Sequence, residues 1–286
     1  MNQKVNSPAE VLEINIKAGI GKATAPLGKM ILLGIMAGMF IALGGATSST
    51  AVHSVSNVGL ARTLAGCVFP VGLMMIIFIG GQLFTSNCMV VMAVFDKRLK
   101  FMQFVRNLCV VYFSNLIGAV LLTALIVASG MFDYSDGALG AYAIKVMLGK
   151  VAIEPVKAVA SGILCNILVC IAVLMASVAQ DATGKIWAIF FPIFAFVVGG
   201  FEHCVANMYY IPAGMMAAQN PVYLQKAVEK YGYSAEKIQS VDISRSKNTY
   251  PRWWDEKQGA FPISGFLLFA FLEYETNIFS TLGHHL

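Results

Sequence analysis

Long apolar runs with almost no charged residues follow one another along this chain. The first 29 residues mix apolar and charged positions after Ser7-Pro8, which predicts an amphipathic helix lying at a membrane interface. Each later run reaches the roughly 20 residues that a membrane-spanning helix needs. The runs cover residues 30–61, 63–95, 107–132, 158–180 and 186–225. The pattern predicts an all-α polytopic membrane protein.

Two of these runs are interrupted by a Gly-Gly pair followed by polar residues. The first break runs from Gly80 to Asn87 (GGQLFTSN) and the second from Gly199 to Asn207 (GGFEHCVAN). A helix broken inside a membrane must hydrogen-bond its freed backbone groups, and matched breaks in two halves are typical of a substrate path between related repeats. The order run, broken run, run predicts inverted three-helix repeats with helices 2 and 5 broken.

The end of the chain departs from this repeat. We predict one transmembrane domain over 1–286 with four parts: an interfacial helix (1–29), membrane helices 1 to 5 (30–218), an extracytoplasmic polar segment (219–260) and an atypical tail (261–286). In the tail, residues 261–272 are apolar for only about half a span before Glu273 and Glu275. A carboxylate at the bilayer centre costs roughly 2.5 kcal/mol or more. The sequence therefore does not predict a complete sixth helix.

Composition and charge place the chain in a membrane and exclude several functions. Hydrophobic residues make up 58% of the sequence and charged residues 12%, against about 25% charged in soluble domains. The net charge of +5 is spread over loops, so no nucleic-acid partner is predicted. The cysteines lie in apolar runs and, apart from the tail, only His53 and His203 are histidines. No metal or other cofactor is predicted.

The distribution of lysine and arginine predicts the orientation. The loop at residues 96–100 (DKRLK) and Arg106 lie between the second and third runs, whereas the preceding turn offers only Arg62. By the positive-inside rule, the N-terminus and this loop are cytoplasmic, in a multi-pass protein of the inner cell membrane. Residues 133–157 are then predicted to form an outward-facing loop.

The first break combines apolar and polar residues. Leu83 and Phe84 precede Thr85, Ser86 and Asn87, so an apolar constriction would adjoin hydroxyl and amide groups, as a gate borders a selectivity site. The alternative is a kink whose side chains bond back to helix carbonyls. The pairing of this break with the second one favours the functional interpretation.

The second break carries Glu202 and His203, which are the only ionisable residues between Lys185 and Lys226 apart from cysteine and tyrosine. Ionisable residues at membrane depth are candidate functional residues, and histidine exchanges a proton near neutral pH. The alternative is a packing histidine bonded to Asn166 or to a backbone carbonyl. We expect Glu202 to pair with a neighbouring helix or subunit.

Three further residues complete the candidate site. Asn166 in helix 4 and Asn207, four residues after His203, are amides of the kind that join helices. Lys150 precedes helix 4 and could attract an anion to the mouth. Removing water from a small anion costs several kcal/mol, and a proton donor at His203 would lower that cost. The hypothesis is that the anion crosses as a neutral acid or as an ion pair.

The motifs resemble the formate/nitrite transporter family, whose members are channels and proton-coupled transporters for formate, nitrite, hydrosulfide and, in some cases, lactate. The resemblance covers residue 8 to about residue 217. It rests on these motifs: Ala18-Gly19 with Lys22-Ala23-Thr24, Leu83-Phe84-Thr85-Ser86, Asn107 with Tyr112-Phe113 and Asn115 to Ala119, Gly200-Phe201-Glu202-His203, and Ala206-Asn207-Met208.

The resemblance implies an aquaporin-like six-helix bundle, assembled as a homopentamer in the lipid bilayer with one pore in each protomer. Small monovalent anions and protons are the implied partners. The family's central histidine falls on His203, its loop threonine on Thr85, its helix 4 asparagine on Asn166 and its outer lysine on Lys150. The residues that narrow the pore fall on Phe69, Leu73, Leu83, Phe84 and Phe196.

The tail after Asp242 does not reproduce the family's sixth helix, and sequence divergence or a shifted reading frame would account for this. The hypothesis is a channel or proton-coupled transporter for formate, nitrite or hydrosulfide, with two apolar constrictions around His203 and Thr85. The alternatives are a non-conducting or truncated relative without a normal sixth helix, and a membrane enzyme that uses His203 with Cys204. Adjacent helical side chains diverge by about 100°, which disfavours the enzyme.

Overall fold

A computed structural model describes residues 5–241, and within that range every regular element is a helix. The described helices are α1 (Pro8–Ala23), α2 (Leu27–Val52), α3 (Val58–Val68), α4 (Val71–Ile79), α5 (Phe84–Asn87), α6 (Val91–Phe95), α7 (Phe101–Ala128), α8 (Tyr134–Val151), α9 (Pro155–Val178), α10 (Ala182–Gly199), α11 (Cys204–Ala217), α12 (Pro221–Tyr231) and α13 (Ala235–Gln239). The predicted tail and its incomplete sixth helix lie outside the described residues.

Five stretches of helix are long and apolar enough to cross a membrane. They are α2, the α3–α4 pair, α7, α9 and α10. The predicted all-helical, polytopic class is confirmed, and so are the two breaks. Helical structure stops at Gly80–Leu83 and again at Gly200–His203. The first run ends at Val52 rather than at residue 61, because residues 53–57 form the turn into α3.

The amphipathic helix α1 lies across one end of the bundle, which we call the α1 end. It begins at the predicted cap: the Ser7 hydroxyl accepts a hydrogen bond from the Glu10 N–H, and the Glu10 side chain accepts one from the Ser7 N–H. Two of the contacts that attach α1 to the bundle involve its first half. Glu13 forms an ion pair with Arg98 at 2.7 Å, and Asn15 Nδ2 donates to Ser177 Oγ at the end of α9. The helix therefore bridges the two halves.

Glycines allow α2 and α7 to pack with their backbones in direct contact. A Cβ atom on Gly38 would lie 2.0 Å from the Asn115 carbonyl oxygen, and one on Gly118 would lie 1.9 Å from the Ile35 carbonyl oxygen. Small residues let helix backbones approach in this way where lipid provides no hydrophobic driving force between helices. The close approach brings the Asn115 side chain up to the first break.

The segment predicted as an outward-facing loop, residues 133–157, is not a loop, because most of it is the helix α8; its orientation stays a prediction. Apolar residues recur at helical spacing along it, and Leu139, Ile144, Met147 and Leu148 are all buried. Its many glycines and alanines make α8 less apolar than the membrane spans of this chain, which hid the helix from a search for long apolar runs. Tertiary packing against α11 and α12 stabilises it.

The helix α12 covers the N-terminal turn of α8 at the opposite end of the bundle, which we call the α12 end. The Tyr223 ring packs so closely on Gly140 that a Cβ there would lie 2.5 Å from it, and its hydroxyl donates to Asp133. Ser135 and Asp136 adopt left-handed backbone angles at this contact. The segment predicted only as polar, residues 219–260, therefore begins with two short helices, α12 and α13.

We expect Gly38→Ala to destabilise the protein by roughly 1 to 3 kcal/mol, because the new methyl group would push α7 and Asn115 away from α2. Gly28→Ala is the matched control on the same helix, since nothing lies within 4 Å of a Cβ there. Thermal unfolding of the purified protein in detergent measures the difference. Equal melting temperatures for the two variants would contradict the prediction.

Candidate functional site

The first break is held open by one buried side chain, Asn115 of α7. Its Oδ1 accepts the Phe84 N–H at 2.9 Å, and its Nδ2 donates to the carbonyl oxygens of Gln82 at 2.9 Å and Gly34 at 2.8 Å. Backbone groups left unpaired at membrane depth cost several kcal/mol each. Asn115 therefore fixes the residues on both sides of Leu83, and with them the start of α5, where Thr85 lies.

The second break is closed partly by its own histidine. His203 is the residue before α11, and its Nδ1 accepts the Ala206 N–H at 3.0 Å as a helix N-cap. The Glu202 N–H donates to Ser161 Oγ of α9 at 2.9 Å. His203 Nδ1 is therefore occupied by the Ala206 N–H rather than by Asn166 or a backbone carbonyl.

Thr85 and His203, one from each break, meet in the interior of the bundle. Thr85 Oγ1 lies 3.2 Å from His203 Nε2, and the two residues are 5% and 3% exposed. Because Nδ1 accepts from Ala206, a neutral imidazole here carries its proton on Nε2. Nε2 is then the donor and Thr85 Oγ1 the acceptor. A second proton on Nδ1 would remove the cap of α11.

Two phenylalanines cover His203 on one side. The Phe196 ring stacks on the imidazole with centroids 5.8 Å apart, and Phe69 meets Phe196 edge to face at 5.5 Å. These three residues and Lys150 form part of the wall of a cavity of about 170 Å³. Two aromatic rings beside His203 therefore border a space large enough for a small anion and water, and their role as an apolar constriction stays a prediction.

The other predicted constriction residues lie in the interior as well. Leu73 is 2% exposed and Leu83 is fully enclosed. The Phe84 ring packs edge to face on Tyr112, with centroids 5.1 Å apart. Leu83 and Phe84 come directly before Thr85, as the sequence requires. Their role as a second apolar constriction stays a prediction.

Lys150, Glu202 and Asn207 form a second group beside the cavity. Lys150 Nζ lies 2.7 Å from Glu202 Oε1, and Asn207 Nδ2 donates to Glu202 Oε2 at 2.9 Å. The partner of Glu202 is thus α8 of the same chain. The Lys150 ammonium also lies 5.7 Å from the centre of the Tyr210 ring. Lys150 lines the cavity, and within residues 5–241 Glu202 is the carboxylate with which its ammonium forms an ion pair.

Asn166 lies close to the first break, and its side chain forms no hydrogen bond with His203. Its Nδ2 contacts Cys170 Sγ at 3.6 Å, and that sulfur lies 3.8 Å from the Thr85 carbonyl oxygen. Among residues 5–241, Asn166 Oδ1 and Asn207 Oδ1 are buried acceptors with no hydrogen-bond partner. Two amides of the predicted site therefore each keep one buried acceptor oxygen that no described protein group occupies.

A further polar cluster at the α1 end was not predicted as part of the site. Lys22 Nζ donates to Asn87 Oδ1 at 3.0 Å, and Asn87, Gln82 and Asn107 bond to one another through their amides. Burial lowers the pKa of Lys22, which lies before the first span, to about 8. Gln82 and Asn87 lie in the first break, so their polar side chains were the sequence feature from which this cluster could have been predicted.

We expect Glu202→Gln to destabilise the fold by roughly 2 to 4 kcal/mol, because it leaves the half-buried Lys150 ammonium without its carboxylate. Adding Lys150→Met to Glu202→Gln should recover part of this loss, since no unpaired charge remains. Thermal unfolding of both single variants and the double variant gives the coupling. Additive losses would show that the two side chains do not stabilise each other.

Comparisons with known proteins show what this chain is similar to. A family model described as formate/nitrite transporter matches residues 9–238. A probable formate transporter of Methanothermobacter thermautotrophicus is 39% identical over 233 residues, which cover 75% of this chain and 85% of the relative. The formate channel FocA of Escherichia coli strain K12 is 34% identical over 211 residues, with 73% and 74% covered.

A solved structure has the same fold. It is a pentameric formate channel with formate bound, and it superposes with a TM-score of 0.68 at 26% identity over 90% of this chain and 97% of that one. The region matched by the family model contains both breaks and the Thr85–His203 contact. The chain therefore belongs to the formate/nitrite transporter family.

Proposed function

We propose that this chain conducts a small monovalent anion, with formate as the first candidate, through a path that passes between Thr85 and His203. The observation that carries the proposal is their contact at 3.2 Å, where the two helix breaks meet. The names of the relatives support formate, because the relatives include formate channels and a probable formate transporter. Nitrite and hydrosulfide have the same charge and comparable size.

His203 acts in this proposal as a neutral hydrogen-bond donor. The Ala206 N–H occupies Nδ1, so Nε2 offers its N–H to an anion in place of Thr85 Oγ1. The anion also meets the N-terminus of α11, the positive end of that helix dipole. Releasing water from an anion costs several kcal/mol, and these groups offset part of that cost.

The hydrogen bonds of His203 also limit how a proton can accompany the anion. A neutral imidazole with one N–H can bind an anion, whereas an imidazolium at His203 would need the Ala206 hydrogen bond to break. His203 therefore supplies no proton to the substrate: a proton that accompanies formate is carried on it as formic acid, formed from formate and a solvent proton at the aqueous entrance. Asn166 Oδ1 and Asn207 Oδ1, both buried acceptors, suit the O–H of a protonated acid.

The route begins in the cavity at the α12 end, passes Phe69 and Phe196, reaches His203 and Thr85, and leaves past Leu83 and Phe84 toward Lys22. We infer that the α1 end faces the cytoplasm of the inner membrane, because Lys97, Arg98 and Lys100 lie beside it. The pentameric solved relative supports a homopentamer with one such route in each protomer.

The competing functions have less support. An enzyme would need a His203 nitrogen beside Cys204 Sγ, but Nδ1 accepts from Ala206 and Nε2 lies at Thr85. A nucleophile without a base in reach is not activated. A non-conducting relative has no observation in its favour within residues 5–241, where Thr85 of the first break meets His203 of the second.

We expect His203→Asn to lower formate flux more than tenfold, because asparagine can still cap α11 but its amide does not reach Thr85. Thr85→Ala should lower flux severalfold, and Thr85→Ser, which keeps the hydroxyl, should retain most of it. Uptake of labelled formate into proteoliposomes, with an internal pH dye to follow protons, measures both movements.

The controls separate folding from conduction. Each variant is first compared with the wild type by size-exclusion chromatography and thermal unfolding. Wild-type flux by a well-folded His203→Asn protein would remove His203 from the path. A folded wild-type protein without flux of formate, nitrite or hydrosulfide would contradict the proposed function and favour the non-conducting alternative.

A further inference from the structure

Lysines and tyrosines alternate from the rim of the α12 end down to the cavity. The Lys230 ammonium lies 5.6 Å from the centre of the Tyr231 ring, and the Lys145 ammonium lies 5.0 Å from the same ring. Lys145 is also 5.7 Å from the Tyr142 ring, which lines the cavity. Two ammonium groups therefore share one tyrosine at the edge of the cavity.

The two rim lysines differ from Lys150 and Lys157 in their partners. Within residues 5–241, neither Lys145 nor Lys230 lies within ion-pair distance of a carboxylate, whereas Lys150 is paired with Glu202 and Lys157 with Glu154. A tyrosine ring attracts an ammonium through its quadrupole, yet it adds no negative charge. The rings hold these cations in place without neutralising them.

Neighbouring contacts keep the arrangement in one geometry. Lys230 Nζ also donates to the His53 carbonyl oxygen at 3.5 Å. The nearby Glu229 carboxylate accepts a hydrogen bond from Gln225. Burial and the neighbouring tyrosines raise the pKa of Tyr231 to about 12. Its phenol therefore stays neutral in any working pH range, and its ring never becomes a counter-ion for Lys145.

The spacing along α8 connects the rim with the inner part of the cavity. Tyr142, Lys145, Val146 and Lys150 are separated by three, one and four residues, so they lie on one face of the helix. Tyr142, Val146 and Lys150 all line the cavity, and Lys145 is exposed above them. The Lys145 ammonium therefore lies within about one helical turn of Tyr142 and Val146, which line the cavity.

We propose that Lys145 and Lys230, held on Tyr231, form an anion-capture site at the α12-end rim, from which a small monovalent anion passes to Lys150. The proposal rests on the proposed anion conduction and adds the step that loads the channel. Clefts with one sign of charge concentrate oppositely charged ligands. The two unneutralised ammonium groups supply that charge at the entrance, ahead of the paired Lys150.

The test compares formate uptake by wild type, Lys145→Gln and Lys230→Gln in proteoliposomes at low ionic strength, about 0.01 M, where the screening length is about 30 Å. We expect each substitution to raise the half-saturating formate concentration about threefold and to leave the maximal rate unchanged, because rim charges act on encounter. The difference should vanish at about 1 M of a bulky organic salt, where screening reaches about 3 Å.

Two further variants make the test specific. Lys157→Gln removes one charge from an exposed lysine of α9 that already pairs with Glu154, and it should leave the half-saturating concentration unchanged. Lys145→Arg keeps both the charge and the ring contact and should behave like wild type.

Each other outcome has a distinct meaning. If Lys145→Gln matches Lys157→Gln, or if its defect persists at high salt or appears in the maximal rate alone, the capture site is wrong while conduction stands. If the folded wild-type protein carries no anion, the proposed function itself fails before the variants are compared.

Discussion

Two interruptions of helical hydrogen bonding inside an apolar bundle determine most of what is distinctive in this molecule. Peptide groups at Gly80–Leu83 and Gly200–His203 have lost helical partners where no bulk water can replace them. Asn115 serves the first interruption with three hydrogen bonds, and Ser161 serves the second. The buried polar residues of the chain are concentrated where this need arises.

The two breaks satisfy their freed backbone groups in different ways, and they therefore contribute different kinds of side chain to the site. The first is supported from outside, by Asn115 on α7 and by the amide cluster around Asn107. The second uses His203 itself as the cap of α11. One break therefore presents a side chain, Thr85, on a rigid support, while the other presents a ring whose orientation and tautomer are fixed by the fold.

The sequence was sufficient for the breaks and for the helical membrane class, because Gly-Gly pairs and polar residues stand out in apolar runs. It also drew attention to Thr85 and His203, which the structure brings into contact, while their role in transport stays a prediction. It was insufficient for α8, whose small residues give a weak apolar pattern and whose stability depends on contacts with α11 and α12. The Lys150–Glu202 pair joins residues 52 positions apart, and the rings that hold Lys145 depend on α12. Such long-range contacts have no periodic signal in a single sequence.

The cap made by His203 limits how a channel of this design can change its substrate during evolution. A replacement at position 203 alters the ligand-facing group and the first turn of a helix together, so few substitutions would keep both. On the proposed route, variation in selectivity has more freedom at Phe69 and Phe196, whose rings line the cavity and support no helix end. Retuning of this pore is therefore expected around a constant histidine rather than at it.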